Sequence, residues 1–225
     1  PKKKMTPYEH SKKQYKRICR GNRGISLKCR YLTGSHPFLH IAPMKVEYMY
    51  LKPEITLVHG ILNDDEIEHL KHTLQRQVIN VGGKLFRDRI AKLAWLPYNT
   101  SSILSRISRK VSALTGLNMD YAEYLQVVNY GIGGYQDIFS EIENFYDRLY
   151  AAHLTDVDSG GATVFHKLGV NVRPVKGAAL FWRNLHPSGQ GDPATEHGAC
   201  PVIHGYKWGE TLYYHIKLSH YRLPC

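Results

Sequence analysis

The chain contains no long apolar run, no Cys-x-x-Cys pair and no internal repeat. A membrane-spanning helix needs about 18 or more consecutive apolar residues, so no such span is predicted. Without a Cys-x-x-Cys pair, the usual signal of a zinc ribbon or a dithiol redox site is missing. Acidic residues are also scarce, with 19 Asp and Glu against 30 Lys and Arg and a net charge of +11. That balance would suit an acidic partner such as nucleic acid, whereas 22% charged residues and 16 Tyr are typical of a folded chain.

The excess positive charge lies at the start of the chain, because Glu9 is the only acidic residue among residues 1–30. We interpret residues 1–30 as a basic helical lead-in or linker, with a short helix over 8–18, and residues 31–225 as the folded domain. No nucleic-acid-binding motif follows the basic segment, so no nucleic-acid partner is predicted. The first residue is Pro1 and not Met, which predicts a fragment or a processed chain.

The four cysteines are Cys19, Cys29, Cys200 and Cys225. An even number at well-separated positions is compatible with two disulfides, and four cysteines allow three pairings between which the sequence does not choose. Asn99 begins the one Asn-x-Ser/Thr motif, which makes it a candidate glycosylation site. Together these features favour an oxidising compartment.

Helices come first in the chain and short strands follow. Asn63 and the acidic residues after it predict a helix over 64–77 with Ile67, Leu70 and Leu74 on its apolar face. Ser101 or Ser102 caps a second helix that Gly116 closes. Apolar runs at Met44–Leu51, Ile55–Val58, Tyr124–Tyr130, Ala162–Phe165, Ala178–Arg183 and Thr211–Leu218 predict extended segments and strands. This order predicts an α+β domain whose core is a sandwich or a barrel.

Residues 125–225 carry an ordered series of short motifs. They are Leu125–Gly131, Gly160–Phe165, Pro174–Trp182, Gly189–Asp192, Glu196–Val202 and Gly205–Trp208. The series resembles the catalytic region of the collagen prolyl 4-hydroxylase alpha subunit, a procollagen-proline 4-dioxygenase, and the resemblance runs from about Pro7 to Cys225. It implies a double-stranded β-helix, or jelly roll, flanked by N-terminal helices.

The resemblance also implies roles for individual residues. His197 matches the distal iron-ligating histidine, and Lys207 matches the cation that receives the distal carboxylate of 2-oxoglutarate. Tyr130 matches a pocket tyrosine on the second barrel strand. Cys19 is expected to pair with Cys29, and Cys200 with Cys225.

The same resemblance implies cofactors, partners and location. The expected cofactors are Fe(II), 2-oxoglutarate and ascorbate, with O₂ as oxidant and proline in collagen-like peptides as the substrate. The expected partner is a β subunit of the protein disulfide isomerase type, in the lumen of the endoplasmic reticulum.

The chain departs from the family at the other two iron ligands, which form a His-x-Asp motif shortly after a Gly-Gly pair. Here Gly133 and Gly134 are followed by no histidine before His153, and no His-x-Asp or His-x-Glu occurs anywhere. Two alignments are possible, one placing the motif on residues 138–140 and the other on 139–141. Only the second keeps a carboxylate, Glu141, as a weak candidate metal ligand.

Two hypotheses about activity follow. In the first, the chain is a catalytically impaired or inactive member, because iron held by one imidazole and at most one carboxylate lacks the donors that define the site. In the second, it is an active prolyl 4-hydroxylase whose segment 135–155 is rearranged or wrongly joined in the coding sequence. His153, His166 and His215 are not expected to replace the missing ligand.

Overall fold

A computed structural model describes residues 5–21, 27–33, 36–76, 79–81, 89–139, 146–186 and 188–215. Its helices are α1 (Pro7–Arg20), α2 (Pro37–Ile41), α3 (Asp64–Arg76) and α4 (Ser102–Thr115). Its strands are β1 (Lys28–Leu32), β2 (Met44–Leu51), β3 (Glu54–Val58), β4 (Ile79–Val81), β5 (Arg89–Leu96), β6 (Leu125–Tyr130), β7 (Tyr135–Phe139), β8 (Tyr146–His153), β9 (Ser159–Gly160), β10 (Thr163–Phe165), β11 (Val170–Val172), β12 (Ala179–Arg183), β13 (His197–Ala199), β14 (Val202–His204) and β15 (Lys207–His215). None of the helices in these ranges is long and apolar enough to cross a membrane.

The two predicted central helices form because their ends and their apolar faces agree. Asn63 and Glu66 bond reciprocally at the start of α3, with the Glu66 backbone N–H donating to Asn63 Oδ1 and the Asn63 N–H donating to Glu66 Oε2. Ser101 accepts from the Leu104 N–H at the start of α4, and Gly116 ends this helix with φ of +69°, a left-handed conformation that favours glycine. These local signals explain why the sequence located both helices.

Apart from β9 and β14, which pair only with each other, the strands form two sheets that share one member. The larger has the order β1-β2-β3-β12-β8-β15-β6-β5, with β4 also paired to β5, and the smaller continues β5-β7-β13-β10-β11. Every pairing is antiparallel, and β5 joins the sheets because Lys92–Leu96 pair with β6 while Arg89 and Ile90 pair with β7. The mixed helix and antiparallel-sheet architecture confirms the predicted α+β class.

Two apolar clusters hold these layers together. One lies between the larger sheet and helices α3 and α4, and it includes Leu70, Leu104, Ile107, Val127 and Leu212. The other lies between the two sheets and includes Ile55, Leu57, Phe165, Leu180 and Trp182. Trp182 of the second cluster also lines the polar site described next.

Helix α1 packs on the outside of the smaller sheet. Tyr15 donates its hydroxyl to the Ala199 carbonyl at 2.8 Å, and Asn171 donates to the Ile18 carbonyl at 2.9 Å. Lys12 Nζ lies 2.6 Å from the buried Asp137 carboxylate. The basic segment therefore contacts the domain through specific bonds, although the predicted division at residue 30 stays a prediction.

A disulfide joins Cys19 on α1 to Cys200, which follows β13. The expected pairing of Cys19 with Cys29 is therefore wrong, and Cys200 is not available to Cys225. The reason is that α1 lies against β10, β11 and β13, whereas Cys29 is exposed and unpaired on β1 at the other end of the sheet order. Cys225 lies outside the described residues.

Candidate functional site

Three of the site residues that the sequence predicted line one small cavity between the sheets. Lys207, Tyr130 and His197 all face it, from β15, β6 and β13 respectively, and its volume is about 60 Å³. Strand pairing explains the meeting, because Lys207 stands directly opposite Tyr130 in the β15–β6 register. His197 approaches from the smaller sheet, where it stands opposite Phe165 on β10.

Lys207 is a buried cation with weak compensation. Only 5% of the residue is exposed, and its Nζ donates to Thr163 Oγ1 at 3.3 Å while lying 5.6 Å from the centroid of the Tyr130 ring. Burial and the nearby Arg89 lower the pKa of Lys207 to about 7. No carboxylate among the described residues forms an ion pair with Lys207, so no acidic side chain there neutralises its positive charge.

Arg89, which sequence reasoning missed, brings a second cation to the same cavity. Its guanidinium donates from Nη2 to Gln126 Oε1 at 3.1 Å, and its Cζ lies 5.6 Å from the Tyr130 ring centroid. The Arg89 Nε is buried and has no hydrogen-bond partner. No motif surrounds Arg89 in the sequence, so only the pairing of β5 with β6 and β7 could reveal it.

Tyr130 lies near both cations and is held in place. Its hydroxyl donates to Gln136 Oε1 at 3.0 Å, and its residue exposure is only 4%. An aromatic face attracts cations, so the ring partly stabilises both Lys207 and Arg89 without neutralising either. This arrangement agrees with a pocket role for Tyr130, which stays a prediction.

His197 has the surroundings of a neutral metal ligand. Its ring packs against Trp182, with centroids 4.8 Å apart, and against Phe165 at 5.6 Å. Its Nδ1 lies 3.0 Å from the Thr195 carbonyl, which can only accept, so the proton is on Nδ1 and the lone pair is on Nε2. Burial lowers the pKa of His197 to about 4, which keeps the imidazole neutral at physiological pH.

Strand β7, as far as the structure describes it, brings no second iron ligand to His197. In the β7–β13 register, Phe139 is the residue paired with His197. This pairing places position 139, and not 138, across from the imidazole, as in the alignment over residues 139–141. Ser140 and Glu141 lie outside the described residues.

The remaining candidate ligands do not converge either. His153 lines the cavity, and burial followed by the charge of Lys207 lowers its pKa to about 3. His166 lies 3.7 Å from the Glu196 carboxylate at the buried turn after β10. The part of the chain that the structure describes holds no group of three His, Cys, Asp or Glu side chains that could bind a metal. These residues therefore fit one imidazole ligand and an anion pocket, but they do not fit a three-ligand iron site.

Sequence comparison finds relatives over most of the chain, although no family model matches it. The chain is 40% identical to rat prolyl 4-hydroxylase subunit alpha-3 over 89% of its length, and 38% identical to human subunit alpha-1 over 100% of it. The matches cover 40% and 48% of those two proteins, so the chain spans half or less of the length of the curated relatives.

Structural comparison places the fold among prolyl hydroxylases. The viral collagen prolyl hydroxylase of Paramecium bursaria Chlorella virus-1, solved as a 2OG complex, aligns with a TM-score of 0.60 at 19% identity, covering 71% of this chain and 94% of that one. A Pseudomonas putida prolyl-4-hydroxylase aligns with a TM-score of 0.54 at 14% identity, covering 72% and 92%. These likenesses confirm the jelly-roll fold.

Proposed function

Because this chain belongs to the prolyl 4-hydroxylase alpha-subunit family, we propose that it is a 2-oxoglutarate-binding domain whose hydroxylation of peptidyl proline is impaired. The observation that carries the proposal is Lys207, a buried cation that bonds only to the Thr163 hydroxyl and lies near Tyr130. A buried charge without a counter-charge is costly, and a ligand carboxylate would offset that cost.

The impairment follows from the metal side of the cavity. Iron, when bound in this family, supplies the oxidising chemistry that 2-oxoglutarate and O₂ support, and ascorbate serves that chemistry. In this chain His197 offers one neutral imidazole, and its register partner is Phe139. Lys207 and Thr163 can bind and orient a carboxylate without metal, whereas oxidation of proline cannot proceed on that contact alone.

The proposal is tested by titrating the purified chain with 2-oxoglutarate in a calorimeter and by measuring succinate release with a Pro-Pro-Gly peptide and Fe(II). We expect binding without turnover. Lys207→Met should weaken binding by about 30-fold or more, since removing one partner of a buried charged contact costs about 2–5 kcal/mol. Lys92→Met, at an exposed lysine on β5, is the matched control and should leave the affinity unchanged. Turnover by the wild-type chain would favour the active-enzyme hypothesis, and absence of 2-oxoglutarate binding would overturn the proposal.

Binding of 2-oxoglutarate should also depend on pH through Lys207. The pKa of Lys207 in the free protein is about 7, and only the ammonium form attracts a carboxylate. The affinity is therefore expected to be greatest below pH 7 and to fall by up to about tenfold for each further pH unit above it. His153 and His197 have pKa values of about 3 and about 4, so they stay neutral over this range. Lys207→Arg should flatten the profile, and an equally steep profile in that variant would assign the titration to another group.

We propose further that the chain resides in the lumen of the endoplasmic reticulum. Its support is the Cys19–Cys200 disulfide and the exposed Asn99, which lies in a short turn before α4. When the chain is expressed through the secretory pathway, Asn99→Gln should abolish an endoglycosidase-sensitive mass shift, and non-reducing peptide mapping should recover a Cys19–Cys200 cross-link. A Cys19–Cys29 or Cys200–Cys225 peptide would contradict the pairing, and an unglycosylated wild-type chain would remove one of the two supports.

Collagen-like Pro-rich peptides and a protein disulfide isomerase-type subunit are the partners that family membership suggests. A labelled Pro-Pro-Gly peptide should bind the purified chain in a fluorescence polarisation assay. Co-expression with a protein disulfide isomerase should yield a complex that gel filtration retains. Failure of either assay would remove that partner.

A further inference from the structure

Two cationic side chains, Lys207 and Arg89, line the cavity between the sheets. Lys207 Nζ and Arg89 Cζ each lie 5.6 Å from the Tyr130 ring centroid, so they are separated by no more than twice that distance. Neither forms an ion pair with a carboxylate of the described residues, and Arg89 donates only to the neutral amide of Gln126. The buried and unpartnered Arg89 Nε adds an unused donor that faces no protein acceptor.

The acidic side chain nearest in sequence to Lys207 does not belong to this pair. Glu210 also borders the cavity, but it lies three residues along β15, and strand side chains alternate between the two faces. Its register partners Val127 and Ala152 belong to the cluster beneath the helices. The opposite face, which carries Lys207 and Tyr130, therefore has two positive charges to be neutralised.

We propose that this cavity binds a short dicarboxylate without metal, with one carboxylate on Lys207 and the other on the Arg89 guanidinium. The inference rests on the proposed function, because Lys207 is taken from it as the first carboxylate site. It adds that Arg89 provides the second positive group for the ligand. A guanidinium presents planar paired donors that match a carboxylate, which a neutral amide such as Gln126 matches less well.

Binding requires Arg89 to exchange partners. The Arg89 guanidinium already donates to Gln126 Oε1, so a carboxylate that takes its paired donors must take the place of the Arg89–Gln126 contact. In this exchange, a charged carboxylate replaces the neutral Gln126 amide oxygen as the acceptor for Arg89. The buried Arg89 Nε, which has no hydrogen-bond partner, also gains an acceptor. Gln126, on β6, then faces the new ligand with its amide.

The test is calorimetric titration of the purified chain in EDTA with 2-oxoglutarate, glutarate and succinate, and with pentanoate as the matched monocarboxylate. Wild-type protein is expected to bind the dicarboxylates at least tenfold more tightly than pentanoate, with no gain on replacing EDTA by Mn(II). Arg89→Gln should reduce dicarboxylate affinity tenfold or more and leave pentanoate unchanged, and Arg89→Lys should recover part of the loss. Arg106→Gln, at an exposed arginine on α4, should behave as wild type.

The outcomes separate this inference from the proposed function. If wild-type protein binds none of these anions, or if Lys207→Met leaves their binding intact, both the inference and the proposed function are overturned. Binding that needs Lys207 and is unchanged in Arg89→Gln overturns only the role of Arg89. Tighter binding in Arg89→Gln would show that the Arg89 side chain excludes the ligand instead of binding it. A requirement for Mn(II) would show that metal holds the second carboxylate. Circular dichroism of both Arg89 variants verifies that they are folded.

Discussion

Lys110→Met is expected to lower the free energy of unfolding by about 3–5 kcal/mol, because it leaves a buried carboxylate without its counter-charge. Lys110 Nζ on α4 lies 2.7 Å from Glu66 Oε2 on α3 and also donates to the Ile61 carbonyl. The Glu66 side chain is 0% exposed, so water cannot replace the ammonium group. Urea unfolding followed by circular dichroism measures the change.

Helix α3 provides a matched control for that experiment. Lys71 pairs with Glu68 at 2.9 Å on the surface, where the Glu68 side chain is 69% exposed, and exposed pairs contribute only about 0–1 kcal/mol. Lys71→Met should therefore be close to neutral. The double variant Glu66→Met with Lys110→Met should recover part of the loss, since removing both charges is less costly than isolating one. A loss in Lys110→Met no larger than in Lys71→Met would show that the pair between α3 and α4 does not stabilise the fold.

The sequence predicted the elements whose signals are local. Helix α3 was expected over 64–77 and occupies Asp64–Arg76, and the Met44–Leu51 segment was expected and forms β2 over the same residues. Capping residues and apolar spacing act within one element, so they can be read without knowing what packs against it. The jelly-roll core was predicted from the order of the short motifs and the family that they resemble.

Features that depend on distant residues were missed or predicted wrongly. Strand β5 carries buried residues at Ala91, Leu93, Ala94 and Leu96, which do not alternate strictly, and its Arg89 reaches the cavity only through pairing with β6 and β7. The disulfide was misassigned because Cys19 and Cys200 are 181 residues apart and meet only when α1 packs on the smaller sheet. Both errors have the same physical origin, since contacts between elements are fixed by the packing of the whole domain.

Phe139→His with Glu141→Asp is expected to raise the affinity of the chain for Mn(II) by about 100-fold. It introduces an imidazole at the register position across from His197 and restores the His-x-Asp spacing of the family. A four-ligand zinc site is worth about 10–16 kcal/mol, so one well-placed ligand contributes about 3 kcal/mol, or about 100-fold. Calorimetry or electron paramagnetic resonance of Mn(II) measures the gain without depending on turnover.

Ile138→His with Ser140→Asp is the matched control, because it builds the same motif in the other alignment. Neighbouring strand residues face opposite sides of the sheet, and Ile138 packs with the cluster around Tyr15 beneath α1. That variant should gain no metal affinity that depends on His197, whereas adding His197→Ala to Phe139→His with Glu141→Asp should abolish the gain. Equal gains in the two motifs would refute the β7–β13 register. A gain confined to residues 138 and 140 would assign the family's iron strand to the alternative alignment.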